Sequence, residues 1–273
     1  MKLFACICNQ PQRLSVALAP VRAALLAQPP VSRWGLGYIQ GGDVLLVRTP
    51  KASAAAVDLA GPLTAEIKTD CAIAQAIRDE GASVGGTDNT PPFRFRRWMY
   101  AQTGLDAQLF ADDIAPRLIE HIPEYLRRNL KGRTPAELVF HVFLAMLHDE
   151  GNIEDPNLPP ASTRRALAAT LRLVTAELAR AGKSSATLGN VALTNGRSMV
   201  VAHLHEPLRL RRLWVAAERG ERGERSERDE SFRGFLLVSG GDGDPKDGFE
   251  DVPPQRAVLI SRDLQVSFAD LAP

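Results

Sequence analysis

The sequence predicts an α+β fold made mostly of antiparallel sheets. Short apolar runs of strand length pair around Gly, Asn and Asp turns toward both ends of the chain, while helical periodicity gathers into its middle. The length of 273 residues and 45% hydrophobic composition allow a sizeable core, in one large domain or two small ones.

Leu3 to Cys8 is apolar on both faces and reads as a central strand. Cys6 and Cys8 are two apart and share a face. Without a Cys-x-x-Cys spacing or a partnering histidine, they read as buried structural thiols before a metal or redox pair. Residues 14 to 28 have helical composition, with Leu14, Leu18, Val21 and Leu25 at near-helical spacing and Pro29-Pro30 as the stop. Trp34 to Gln40 and Val44 to Arg48 form a hairpin around Gly41-Gly42-Asp43.

Cys71 to Ile77 is a further apolar strand, and Arg78 sits where it leaves the core. Gly85-Gly86 and Asp88-Asn89 mark a turn, and Pro91-Pro92 an extended segment. Phe95, Arg97, Met99 and Ala101 alternate with Arg96, Trp98, Tyr100 and Gln102, which predicts one strand ending at Thr103-Gly104. Two strands thus deliver Arg78 and Thr103-Gly104 to one end of a sheet. That arrangement fits a small-molecule pocket as well as it fits an exposed hairpin.

Asp112-Asp113 caps a helix carrying Ile114, Leu118, Ile119 and Ile122. Thr134-Pro135-Ala136-Glu137 is a complete helix start, with an N-cap threonine, proline at the first helical position and glutamate three after the cap. Leu138 to His148 continues as a buried helix, and a Pro-rich loop from Asp155 to Pro160 leads to a long helix through Ala181. Leu188 to Leu193 and Ser198 to His205 flank Asn195-Gly196, a strong hairpin signal. His203 and His205 share a face but lack a third ligand at a recognisable spacing, so no metal is expected. Leu210 to Ala217 and Gly234 to Ser239 form another antiparallel pair, followed by short strands at Ala257 to Ser261 and Leu264 to Phe268. The segments 218–233, with alternating charges, and 240–254 read as flexible loops.

A formal net charge of +1 gives no general attraction to nucleic acid or acidic membranes. Three cysteines without framework spacing suit a reducing compartment. No run approaches the ~20 apolar residues of a membrane span, and Leu3 to Cys8 is too short for a signal-peptide core. A cytoplasmic protein without cofactors is expected.

The order of segments resembles the class II (N-terminal nucleophile) glutamine amidotransferases, in particular their small stand-alone bacterial branch. That family reads His-x-Arg, then Asn-Thr-His-Pro-Phe, then a strand ending His-Asn-Gly. The corresponding places here are Ala76-Ile77-Arg78, Asn89-Thr90-Pro91-Pro92-Phe93 and Gln102-Thr103-Gly104. Asn9-Gln10-Pro11, Trp34-Gly35-Leu36-Gly37-Tyr38, Thr134-Pro135-Ala136-Glu137 and Leu193-Thr194-Asn195-Gly196-Arg197 extend the likeness along the chain. The resemblance implies a four-layer αββα sandwich in a single domain, 1–273. It also implies a ligand site drawing on Arg78, Gly104, Thr103, Asn89 and Trp34, with Arg78 matching the family's carboxylate-binding arginine.

The departures from the family pattern concern its chemistry. The family's nucleophile is a cysteine exposed by removal of the initiator methionine, and Met1 falls on its place here. Lys2 is too large to permit that removal, so Met1 is expected to stay, and a thioether offers no thiolate. Thr103 stands where the family's oxyanion asparagine would be, although Gly104 is kept. Losing one such donor costs about 2.7 to 4 kcal/mol of transition-state stabilisation. Pro135 replaces the aspartate that would hold the substrate's α-ammonium. The resemblance therefore implies a catalytically inactive relative that acts as a binding, regulatory or scaffold subunit. Its expected partners are a synthetase or paralogous amidotransferase subunit and a small carboxylate ligand, with neither nucleic acid nor membrane. The alternative is an active enzyme with rearranged catalytic residues, using Thr103 or Cys6.

Overall fold

The computed structural model describes residues 1–78, 85–105, 113–151, 153–184, 188–216, 231–240 and 248–271. In chain order its elements begin with β1 (Lys2–Cys8), α1 (Leu14–Leu18), β2 (Leu26–Ala27), β3 (Arg33–Gln40), β4 (Asp43–Thr49), β5 (Val57–Asp58), α2 (Gly61–Ala65) and β6 (Cys71–Ile77). There follow β7 (Phe93–Phe95), β8 (Trp98–Gln102), α3 (Ile114–Glu120), α4 (Glu124–Arg127), α5 (Pro135–Glu150) and α6 (Pro160–Arg180). The chain closes with β9 (Val191–Thr194), β10 (Met199–Ala202), β11 (Leu208–Val215), β12 (Phe232–Ser239), β13 (Phe249–Asp251), β14 (Arg256–Ile260) and β15 (Val266–Asp270).

Two antiparallel sheets carry the fold. One has seven strands in the order β13-β11-β12-β1-β6-β3-β4, and the other six in the order β15-β14-β10-β9-β8-β7. The period-2 alternation of each central strand sorts its side chains between two cores. Leu3, Ala5 and Ile7 of β1 enter a core between the sheets, where they meet Met99, Ala101, Val201 and Ile260 of the second sheet. Phe4, Cys6 and Cys8 point the other way, into a core closed by Leu14, Leu18, Leu25 and Leu63 of the thin α1–α2 layer. On the far side Trp98, Tyr100, Leu193 and Val200 pack on Phe140, Phe143, Leu167 and Leu171 of α5 and α6. The result is the expected α+β architecture in four layers, αββα.

Several local expectations are corrected. The helix over 14–28 is one short α-helix followed by a 3-10 segment, Ala19–Leu25, because Pro20 removes a backbone donor at its start. The strand expected to run from Phe95 through Gln102 is a tight hairpin, since Arg96 takes a positive φ of 52° and turns β7 back onto β8. Within the two expected loops, Phe232 opens β12 and Phe249–Asp251 pairs with β11 as an edge strand. Residues 218–230 and 241–247 of those loops, and Asp112 of the expected helix cap, lie outside the described residues.

Glycines let the sheets approach at β3. A Cβ at Gly35 would stand 2.3 Å from the Pro91 carbonyl oxygen, and one at Gly37 would stand 2.8 Å from the Met99 sulfur. The Trp34-Gly35-Leu36-Gly37-Tyr38 pattern thus seats the Pro91-Pro92 segment on the inter-sheet face, while Trp34 and Tyr38 turn to the helix side.

Candidate functional site

The antiparallel register of β1 and β6 places Lys2 opposite Ala76, so the head of β1 and the exit of β6 lie side by side. Met1 and Arg78 meet there, lining a mostly polar cavity of about 50 Å³ together with Lys2, Gln28, Pro30 and Ala76. Enclosed sites for metabolite-sized ligands span about 300–1,000 Å³. The cavity formed by the described residues falls below that range. Met1 itself is 38% exposed.

Arg78 does not project freely. Its Nε donates to the Pro30 carbonyl at 3.3 Å, and one Nη donates to those of Pro29 and Gln28 at 3.1 and 3.4 Å. The arginine therefore fastens the 28–30 segment to the end of β6.

Thr103 and Gly104 follow β8 in the other sheet and reach the same end of the sandwich. Gln75, on the inter-sheet face of β6 and paired with Leu3, donates its amide to the Gln102 carbonyl at 2.7 Å. The next peptide N–H, that of Thr103, donates to the Asn190 carbonyl at 2.9 Å. Asn190 is a fully buried hub: its amide nitrogen reaches Ser239 and the Glu206 carbonyl, and its oxygen accepts from the Leu204 and His205 N–H groups. The Thr103 peptide is thus held from both sides. Gly104 leaves it at φ 73°, a left-handed conformation that glycine enters at little cost. The Thr103 hydroxyl is fully buried and has no hydrogen-bond partner among the described residues; the Gln75 amide oxygen shares that condition. Neither Thr103 nor Gly104 lines the cavity at Arg78.

Asn89 and Trp34 serve other contacts. The Asn89 amide donates to the Gly85 carbonyl and accepts from the Arg133 N–H, both at 2.7 Å, tying the turn before β7 to the start of α5. Its own carbonyl accepts from Arg33 Nε at 3.1 Å. Trp34 packs half-buried against the core beneath the α1–α2 layer. Neither residue lines the cavity. The start of α5 follows the expected pattern with one change. Thr134 Oγ1 accepts from the Glu137 N–H at 3.3 Å, but the Glu137 carboxylate reaches past the cap to the Lys131 and Gly132 N–H groups. Burial nevertheless pushes the Glu137 carboxyl above its usual range, against those two bonds.

Cys6, Cys8 and Cys71 are free and buried. Burial drives the Cys6 and Cys71 thiols well above their usual range and the Cys8 thiol up to about 12. All three stay protonated at neutral pH. His203 is buried with Nδ1 at 2.6 Å from the Val252 carbonyl, whereas His205 is exposed. Among the described residues no three His, Cys, Asp or Glu side chains gather as a metal site would require, and no helix is long and apolar enough to cross a membrane.

The Gln75 contact is the part of this geometry that sequence reading missed. A glutamine inside the otherwise apolar run Cys71 to Ile77 was the available signal, since a polar side chain in a central strand needs a buried partner.

No protein-family model matches this chain, and no curated protein does. Solved structures do. A glutamine aminotransferase class-II domain protein from Silicibacter pomeroyi matches over 100% of both chains at 15% identity, with a TM-score of 0.56. Glutamine phosphoribosylpyrophosphate amidotransferase from B. subtilis, complexed with ADP and GMP, matches over 100% of this chain and 49% of its own at 12% identity, with a TM-score of 0.54. A protein described as a predicted glutamine amidotransferase from Pseudomonas aeruginosa matches over 97% of this chain and 99% of its own at 14% identity, with a TM-score of 0.52. At these identities the likeness establishes the fold: the chain has the fold of class II glutamine amidotransferase domains.

Proposed function

We propose that this chain is a non-catalytic relative of the class II glutamine amidotransferases and works as a binding, regulatory or scaffold subunit. The observation that carries the reading is the residue at the head of β1. Where the resemblance calls for a cysteine nucleophile there is Met1, whose thioether offers no thiolate and which lines a cavity of about 50 Å³. Two further features support it. Arg78, the match to the family's carboxylate-binding arginine, spends its donors on backbone carbonyls. Thr103, at the oxyanion asparagine's place, has its hydroxyl buried beside Gly189.

The B. subtilis enzyme, of which this chain spans about half the length, joins the same fold to further chain. The partner expected for such a subunit is a synthetase or an active paralogue. The alternative, an enzyme with rearranged chemistry, finds less support. Cys6 is fully buried and its thiol is held protonated by desolvation. Thr103 Oγ1 has no base within hydrogen-bond reach among the described residues.

The test is release of glutamate and ammonia from L-glutamine by the purified protein, with its N-terminus checked by intact mass. No release is expected. Steady release that tracks enzyme concentration would overturn the reading and bring the alternative forward.

A further inference from the structure

We infer that β4 is an interaction edge, at which a second copy of this chain pairs antiparallel about a two-fold axis at Leu46 and joins two seven-stranded sheets into one. The pairing goes beyond the reading above and does not depend on whether glutamine is turned over.

The parity of the β3–β4 hairpin decides which backbone groups face outward. Ile39 of β3 turns its N–H and its carbonyl to the Thr69 hydroxyl, away from β4. Its partner Val44 therefore turns both groups away from β3, and Leu46 and Arg48 further along the strand do the same. The Val44 carbonyl accepts from Arg94, whereas the Leu46 N–H and carbonyl have no hydrogen-bond partner among the described residues.

The other three sheet ends are guarded. β7 and β13 are three residues each, and the Phe268 and Asp270 carbonyls of β15 accept from Arg256 and Arg164. β4 runs seven residues without a proline and shows Leu45 at 38% exposure. A long, apolar edge of this kind is a template for a further strand.

Symmetry and charge select the same strand from a second copy. With the axis at Leu46, the outward groups of Val44, Leu46 and Arg48 meet those of Arg48, Leu46 and Val44 in the copy, the ladder an antiparallel pair requires. Leu45 then stands opposite Val47 of the copy, an apolar pair that the two-fold makes twice. Asp43, which is exposed, stands opposite the copy's Thr49 and diagonal to its exposed Lys51. The strand is acidic where it begins and basic just past its end, so an antiparallel copy brings unlike charges together where a parallel one would set like on like. Arg94 uses one lone pair of the Val44 oxygen, and only the bonds from the Arg48 N–H groups need the other.

The experiment is sedimentation velocity on the full chain from micromolar to millimolar concentration, with melting temperatures taken in parallel. A dimer is expected to form as concentration rises. Leu46→Pro removes an N–H that β3 does not use and is expected to leave a monomer. Asp43→Lys and Lys51→Asp each set like charges across the axis and should weaken the dimer roughly fivefold at low salt. The double reversal should restore it. Because both positions are exposed, these variants remain informative even if Leu46→Pro does not fold. A chain that stays monomeric throughout, a dimer that survives a folded Leu46→Pro, or single reversals that change nothing or are not rescued by the double would overturn the assignment.

Discussion

Arg78 leaves β6 with its guanidinium already turned onto the carbonyls of Gln28, Pro29 and Pro30. Those bonds are solvent-exposed, so Arg78→Ala is expected to cost about 1 kcal/mol. That corresponds to a fall of roughly 2–4 °C in melting temperature for a domain of this size. A residue kept only to hold a ligand would leave the melt of the free protein unchanged, which a scan of the two proteins decides. His141 offers a second residue-scale test. It is buried in α5 with Nδ1 at 2.9 Å from the Glu137 carbonyl, and its Nε2 has no partner among the described residues. Burial lowers its pKa below the ordinary 6.5, outweighing the carbonyl contact. The unfolded chain therefore takes up a proton there before the folded one does. The resulting stability is present at neutral pH and is lost as pH falls below about 6.5 toward the depressed folded value. His141→Phe, which fills the space between Phe95 and Phe140 without titrating, should lose less stability than wild type between pH 7.5 and 5 in parallel melts. An equal loss would place the acid sensitivity elsewhere. Arg78's position at a strand exit was legible in the sequence from the apolar run that precedes it. Its bonding was not, because the acceptors come from a segment some fifty residues earlier, and no local pattern reports a backbone carbonyl's direction.

Elements were legible where turn chemistry and periodicity agreed, as at the Asn195-Gly196 hairpin, where β9 pairs with β10, and at the Thr134-Pro135 start of α5. They were obscured where a turn carried no turn residue. Arg96 reverses the chain at φ 52° without being glycine or asparagine, so the alternation from Phe95 to Gln102 reads as one uninterrupted strand. Electrostatics fastens that hidden hairpin to the opposite sheet. Arg94 of β7 donates to the Val44 carbonyl on edge strand β4, and Arg48 of β4 donates to the Pro92 carbonyl beside β7. The two bonds tie β4, the end strand of one sheet, to β7, the end strand of the other. The closeness of the sheets here rests on β3. Gly35→Ala puts a methyl 2.3 Å from the Pro91 oxygen, a backbone atom that cannot rotate away. The expected cost is about 1–3 kcal/mol, read from chemical denaturation, and a neutral substitution would mean that the Pro91-Pro92 segment is free to withdraw.

The four layers arise because β1 is apolar on both faces and so must be covered on both, by the second sheet on one side and by the α1–α2 layer on the other. Pattern alone foretold a central strand and antiparallel pairing; the stacking of two sheets between helices entered only through the family resemblance, because periodicity does not say which apolar face meets which. The same architecture disperses the departures from the family's chemistry. Met1 precedes β1 in one sheet, Thr103 follows β8 in the other, and Pro135 opens α5 in an outer layer. No single substitution touches all three. Gln75 adds a further restraint, its side chain filling the inter-sheet space and bonding the Gln102 carbonyl just before Thr103. A protein in which only Met1→Cys is made, with the cysteine exposed by removal of a preceding methionine, should therefore release no measurable glutamate from glutamine. The restored thiol would still face a cavity of about 50 Å³, and one missing oxyanion donor alone removes about 2.7 to 4 kcal/mol of transition-state stabilisation. Adding Thr103→Asn and Pro135→Asp returns the donor and the carboxylate but not the volume, so turnover is expected to stay absent until the 28–30 segment held by Arg78 is also displaced. Glutamate release by the single Met1→Cys protein would show that the remaining architecture is competent. The inactivity proposed for this chain would then rest on one residue at the head of β1 and not on the site as a whole.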